Sequence, residues 1–222
     1  ERQILADLNH PAITTILDGG LMPESGYPYL VMEYIDGVQI TDYVQSHSLS
    51  CEARVALFLS LLDAVSLAHQ RGVIHCDLKP GNIFVDQQGD LRLLDFGVAH
   101  AVARSRDDEP GRPEYYGLTA GFSSPQRLAG AKPVIADDIY SLGVVFALIM
   151  TETDPAQYKT TLSSGLRRLA NSLSSEARAI FEKAASDLPE RRYASAAEFA
   201  DELRGWMAGR PVGAMAGNVM YP

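Results

Sequence analysis

The sequence predicts an α+β fold. Short runs rich in β-branched and aromatic residues, separated by turn residues, fall in the first hundred positions. From Asp137 onward the spacing of apolar residues is helical. Strands followed by a run of helices, rather than strict alternation, is the α+β order. Apolar residues make up 46% of the 222, enough for a sizeable core.

The elements follow in chain order. "ERQILADL" places Ile4, Leu5 and Leu8 at helical spacing, and Pro11 ends that helix. "AITTILDGG" and "YPYLVMEY" read as two strands joined by the turn-rich "LMPESG". "SLSCEARVALFLSLLDAVSLAHQRG" is the clearest helix. Val55, Phe58, Leu59, Leu62 and Val65 form one stripe, Ser50 caps the start and Gly72 ends it. Short strands are expected at Val73–His75, Ile83–Val85 and Leu91–Leu94, the last two joined by the hairpin loop "DQQGD". Residues 98 to 122 lack a period and read as a long loop. Helices are expected near 138–151, 163–171, 175–186 and 195–207, and Ser195 with Glu198 forms a capping-box pattern. "GRPVGAMAGNVMYP" reads as a linker or tail.

The totals exclude several classes. A net charge of −9 weighs against nucleic acid and anionic membranes as partners. Cys51 and Cys76 are the only cysteines, so there is no disulfide framework or zinc cluster, and a reducing, cytoplasmic setting is expected. The longest apolar run, Ile139 to Met150, is too short to span a bilayer.

One stretch carries chemistry. "VIHCDLKPGNIFVDQQGDLRLLDFG" sets His75, Asp77, Lys79, Asn82 and Asp95 in or beside short apolar strands. Singly these prove little: a lone His-x-Asp is more often a satisfied histidine beside a turn. In combination they are specific. "HCDLKPGN" is followed 13 residues after its asparagine by "DFG", then by "SSPQ" and "DIYSLG".

With these motifs the chain resembles the eukaryotic-type Ser/Thr protein kinases of bacteria, from Glu1 to about Met207. "LNHPAI", "YLVMEYIDG", "ERRYASAAEFADEL" and "GRPV" add to the likeness. The resemblance implies a protein-kinase-like fold: a small-lobe remnant over 1–34 (helix C, two strands, the start of the hinge), a helical large lobe over 35–208, and a tail over 209–222. It implies transfer of the γ-phosphate of ATP to Ser/Thr hydroxyls of protein substrates. That chemistry is mostly positioning and charge stabilisation. Asp77 matches the base that takes the hydroxyl proton. Lys79 matches the cation facing the phosphate, typical of the Ser/Thr rather than the Tyr branch. Asn82 and Asp95 match the two positions that hold Mg2+ (or Mn2+) through hard oxygens. Thr119 matches the threonine that contacts the base, and Asp138 the buried aspartate under the catalytic loop. Glu1 lines up with the partner of an ATP-anchoring lysine. Met32 matches the back of the adenine pocket, Glu33, Tyr34 and Ile35 the hinge, and Phe84 the pocket floor. Leu5, His75 and Phe96 fall where the family stacks an apolar spine.

The chain also departs from the family. It holds no G-x-G-x-x-G, and its first lysine, Lys79, already lies in the catalytic loop. The expectation is a piece of a longer polypeptide that binds ATP weakly and transfers phosphate poorly by itself. Cys76 replaces the arginine that latches a phosphorylated activation loop. Gln126 replaces a glutamate whose buried partner is matched by Arg192. Two other readings stay open: a pseudokinase-like binding scaffold, and a small-molecule phosphotransferase.

Overall fold

The computed structural model describes residues 8–24, 28–95, 119, 121–153 and 162–215. The expected first helix lies outside them, except for its buried last residue, Leu8.

Two small sheets come first. β1 (Ile16–Leu21) pairs antiparallel with β2 (Pro28–Met32), with an irregular register between Ile16 and Asp18. β3 (Gly37–Gln39), β4 (Ile83–Asp86) and β5 (Leu91–Leu93) form an antiparallel sheet in that order. The segment before β1 runs parallel to β5: Leu93 N–H donates to Ala12 O at 2.7 Å and Thr14 N–H donates to Leu93 O at 3.0 Å. This joins the first part of the chain to the hairpin that leads to Asp95.

β3 was not legible as a strand. Its three residues include a glycine, and it pairs only because that glycine is bare. A Cβ at Gly37 would stand 2.4 Å from Val85 O, so no other residue fits. Conversely, the expected strand at Val73–His75 is an irregular segment. The His75 N–H and that of Cys76 donate to the Asp138 carboxylate instead of to a neighbouring strand.

The helices form the core. α1 (Ile40–His47) follows β3 directly. In α2 (Cys51–Gln70) the Ala53 N–H donates to Ser50 Oγ at 3.3 Å, and Gly72 follows the end at φ 75°. Its buried face is broader than the expected stripe. Leu61, Ala64 and Ala68 are fully covered while Leu59 is half-buried, because the helix packs on β5 as well as on other helices. After the short α3 (Pro125–Leu128) comes α4 (Ile135–Thr151), in which every residue from Asp137 to Ile149 is buried. A helix apolar all round belongs at the centre of a core. α5 (Leu162–Ser172), α6 (Ser175–Ala184) and α7 (Ala196–Met207) surround it. Phe58, Phe146 and Phe199 tie α2, α4 and α7 together, with ring centroids 5.4 to 6.1 Å apart. Beyond α7 the chain stays packed as far as Met215: Val212 is buried and Gly213 N–H donates to Glu202 Oε1 at 2.5 Å. No helix among the described residues is long and apolar enough to cross a membrane.

The pair expected between Gln126 and Arg192 is present. Arg192 is buried and donates to Gln126 Oε1 at 2.7 Å, to Ser186 O at 2.8 Å and to Ala136 O at 2.8 Å. Gln126 Nε2 in turn donates to Asp187 O at 2.6 Å. The countercharge comes from Asp137, 3.9 Å away, and the guanidinium also lies over the Tyr140 ring. Burial pulls the Arg192 pKa down, and Asp137 opposes this. Removing one partner of a buried charged group is costly. Gln126→Ala is therefore expected to lower stability by about 1–3 kcal/mol in urea unfolding. An unchanged midpoint would show that the amide contributes nothing to holding Arg192.

Candidate active site

The site is built on the turn between α2 and β4. The chain must leave α2, pass Asp77 and enter a strand within a few residues. Cys76 makes the reversal in the left-handed region at φ 69°, a conformation that costs a non-glycine residue roughly 1–2 kcal/mol. Asp138, fully buried in α4, compensates: its Oδ2 accepts the His75 N–H at 2.8 Å and its Oδ1 the Cys76 N–H at 2.9 Å. Oδ2 also meets His69 Nε2 at 2.8 Å.

His75 locks the other side of the turn. The Asp77 N–H donates to His75 Nδ1 at 3.3 Å. An amide nitrogen has only a proton to offer, so Nδ1 accepts and Nε2 carries the hydrogen. Nε2 then donates to Leu94 O at 2.9 Å. Full burial holds the imidazole pKa below its ordinary value, although the Asp138 charge pulls the other way. At Cys76 burial and the charge of Asp138 push the thiol up to about 12, so position 76 is neutral. Its Sγ–H points to Ile74 O at 3.5 Å.

Three of the expected site residues converge on the carboxylate of a fourth, Asp77. Asp77 Oδ2 accepts from Lys79 Nζ at 2.6 Å and from Asn82 Nδ2 at 3.1 Å. Asp77 Oδ1 accepts from Thr119 Oγ1 at 3.1 Å, and Lys79 Nζ also reaches Thr119 Oγ1 at 3.0 Å. Pro80–Asn82 form a 3-10 turn, and Asn82 Nδ2 donates to Asp77 O at 2.8 Å. With the nitrogen engaged, the amide oxygen of Asn82 is left without a partner among the described residues. Asp95 follows β5 at φ 54° and is exposed, and its carboxylate too is unpartnered among the described residues. The Leu94 N–H donates to Asn82 O at 2.8 Å, which ties the segment carrying Asp95 to the turn carrying Asn82. Two unpartnered hard oxygens suit a magnesium ion that keeps waters and substrate phosphates as its other ligands. Among the described residues no cluster of three or more His, Cys, Asp or Glu side chains offers another metal site.

The remaining expected residues are distributed around this centre. Met32 ends β2, half-buried, and Glu33, Tyr34 and Ile35 lie in an irregular connector to β3. Glu33 clasps the chain beside it: its N–H donates to Thr15 O at 3.0 Å, and its Oε1 accepts the Thr15 N–H at 2.8 Å. Tyr34 is 89% exposed, so its backbone rather than its ring serves the connector. Phe84 lies on the face of β4 opposite the buried Ile83 and Val85, across from Gln39 and Arg92. Glu1, Leu5 and Phe96 lie outside the described residues. Sequence reasoning missed His69. Its only signal was a histidine in the last turn of a helix, which reads equally well as a partner for the helix dipole.

A family model described as "Protein kinase domain" matches residues 1–204. The chain belongs to the protein kinase family. Among curated proteins it is 32% identical over 216 residues to the serine/threonine-protein kinase PknB of Mycobacterium tuberculosis, covering 91% of this chain and 34% of the relative. It is 33% identical over 217 residues to PknB of Mycolicibacterium smegmatis, with the same coverage. To a probable serine/threonine-protein kinase of Streptomyces coelicolor it is 29% identical over 229 residues, covering 97% of this chain and 34% of the relative. The chain thus spans about a third of the length of the curated relatives it matches.

A pH test follows from His75. A histidine kept neutral by folding binds fewer protons than in the unfolded chain. Its contribution to stability is therefore complete above the ordinary histidine pKa of about 6.5 and is lost as pH falls below it. The melting temperature is expected to drop between about pH 7.5 and 5.5, and nitrogen NMR should show the Nε2–H tautomer persisting at pH 6. A ring titrating at its ordinary value in the folded protein would contradict this arrangement.

Proposed function

We propose that this domain is a Ser/Thr protein kinase catalytic domain, which transfers the γ-phosphoryl group of ATP to Ser or Thr hydroxyls of protein substrates. The observation that carries the reading is Asp77 held by Lys79, Asn82 and Thr119. A carboxylate has about four acceptor positions. Two on Oδ2 and one on Oδ1 are taken. The position left on Oδ1 is where a substrate hydroxyl would donate.

The chemistry then divides among this chain's residues. Asp77 orients the hydroxyl and accepts its proton as the new O–P bond forms. The bond from the γ-phosphorus to its bridging oxygen breaks, and ADP leaves with the electron pair. Lys79, already beside Asp77, sets a positive charge where charge spreads over the transferring group. Thr119 holds both Asp77 and Lys79, and so brings the residues after the activation loop to the base. Asn82 and Asp95 would hold magnesium or manganese through their unpartnered oxygens. The ion, when bound, neutralises phosphate charge. Glu33 to Ile35 would offer backbone groups to adenine, with Met32 behind it and Phe84 beneath it. The lysine at position 79 favours Ser/Thr over Tyr as acceptor.

The test is phosphate transfer from radiolabelled ATP with Mg2+ or Mn2+ to a basic carrier protein, using the full-length protein. Asp77→Asn is expected to lower kcat by roughly 10²–10⁴-fold with little change in KM for ATP. Asp95→Asn should weaken the dependence on metal concentration. Transfer to aminoglycosides or choline but not to protein would refute the reading. So would wild-type transfer by the Asp77→Asn protein.

A further inference from the structure

Thr119 reaches Asp77 and Lys79 from a segment remote in sequence, so the position of that segment must be set by something outside the site. The described residues show a hydrogen-bonded path from it to α4. The Phe122 N–H donates to Thr119 O at 2.8 Å and the Ser123 N–H at 3.2 Å, which closes a turn on Thr119. Two bonds fasten this turn to α4. Ser141 Oγ donates to Phe122 O at 2.7 Å. Ser124 Oγ donates to Asp137 Oδ1 at 2.5 Å, and both residues are buried. A serine hydroxyl has one proton to give. With that proton committed to Asp137, the oxygen accepts the Arg127 N–H at 3.2 Å and caps α3.

Asp137 does more than cap its own helix. Its Oδ2 accepts the Val134 N–H at 2.8 Å, a bond that uses one carboxylate oxygen. A carboxylate at the surface could make that bond and keep its water, whereas a buried charge is costly unless it is paired and hydrogen-bonded. Here the buried charge stands 3.9 Å from Arg192, and the second oxygen is given to Ser124. One side chain thus joins the start of α4, Arg192 and the start of α3.

We propose that Asp137 is a positioning residue that, through Ser124, fixes the segment between Thr119 and α3 and so keeps Thr119 on Asp77 and Lys79. Without the carboxylate the Ser124 hydroxyl is released, the turn loses one of its two fastenings to α4, and Thr119 shifts. Misplacing a group by about 1 Å can cost on the order of 100-fold in rate.

The inference rests on the kinase reading for its kinetic readout alone. In the full-length protein, Ser124→Ala removes the donor and leaves Asp137 beside Arg192. It is expected to lower kcat toward a basic carrier protein about 10-fold, with KM for ATP within about twofold, because the connector at Glu33–Ile35 is untouched. Ser124→Thr keeps the hydroxyl and should recover most of kcat. Asp137→Ala should lose at least as much as Ser124→Ala, and the double variant no more than Asp137→Ala, since residues acting through one contact are not additive. Amide hydrogen exchange gives a readout free of the chemistry. Phe122 and Ser123 should lose protection in Ser124→Ala and regain it in Ser124→Thr, while Val134 should lose it only in Asp137→Ala. Wild-type kcat in Ser124→Ala would overturn the proposal, as would equal losses in the two Ser124 variants or losses that multiply in the double variant. If Asp137→Ala does not fold, the two Ser124 variants decide. If the wild-type protein transfers no phosphate at all, the kinase reading fails, and exchange at Phe122 and Ser123 then decides: unchanged protection in Ser124→Ala refutes the role of Asp137.

Discussion

The rest of the site depends on one buried carboxylate. Asp138 has no exposure to water and sits four residues into the most buried helix of the domain. Such a group is tolerated only when its oxygens are satisfied. Here the satisfying donors lie beside the candidate site: the N–H groups of His75 and Cys76, and the imidazole of His69. The burial that makes the carboxylate expensive also makes its hydrogen bonds strong and directional. The core helix and the turn that carries Asp77 are thereby fixed to each other.

Much of the site was legible because it is local. Asp77, Lys79 and Asn82 lie within six positions, and a proline followed by a glycine folds them back on one another. Residue type then decides the contacts, since a lysine and an amide beside a carboxylate have little else to bond. Thr119 and Arg192 needed the family resemblance, because nothing local tells a threonine 42 positions away that it will meet Asp77. What escaped the sequence is long-range or defined by absence. β3 exists because Gly37 has no side chain to collide with Val85. Val73–His75 has strand-like composition, yet its donors go to a side chain. His69 has no motif of its own, and only the fold brings it to Asp138.

The substitutions at 76 and 126 illustrate two ways of losing a charge. Gln126 keeps the hydrogen bond to Arg192 and leaves neutralisation to Asp137. Cys76 keeps the backbone turn and gives up the charge altogether. Its thiol is held neutral by burial beside a carboxylate, an environment that also suppresses its reactivity.

The parallel contact of residues 12–14 with β5 has a mechanical consequence. These residues are bonded to Leu93 on both sides and so move with the hairpin that leads to Asp95. The β1–β2 pair is joined to that body by two segments lying side by side, at Thr15 and Glu33, stapled by the Glu33 backbone and side chain. Among the described residues, rocking of the pair would bend this narrow isthmus, with its pivot at Thr15 and Glu33.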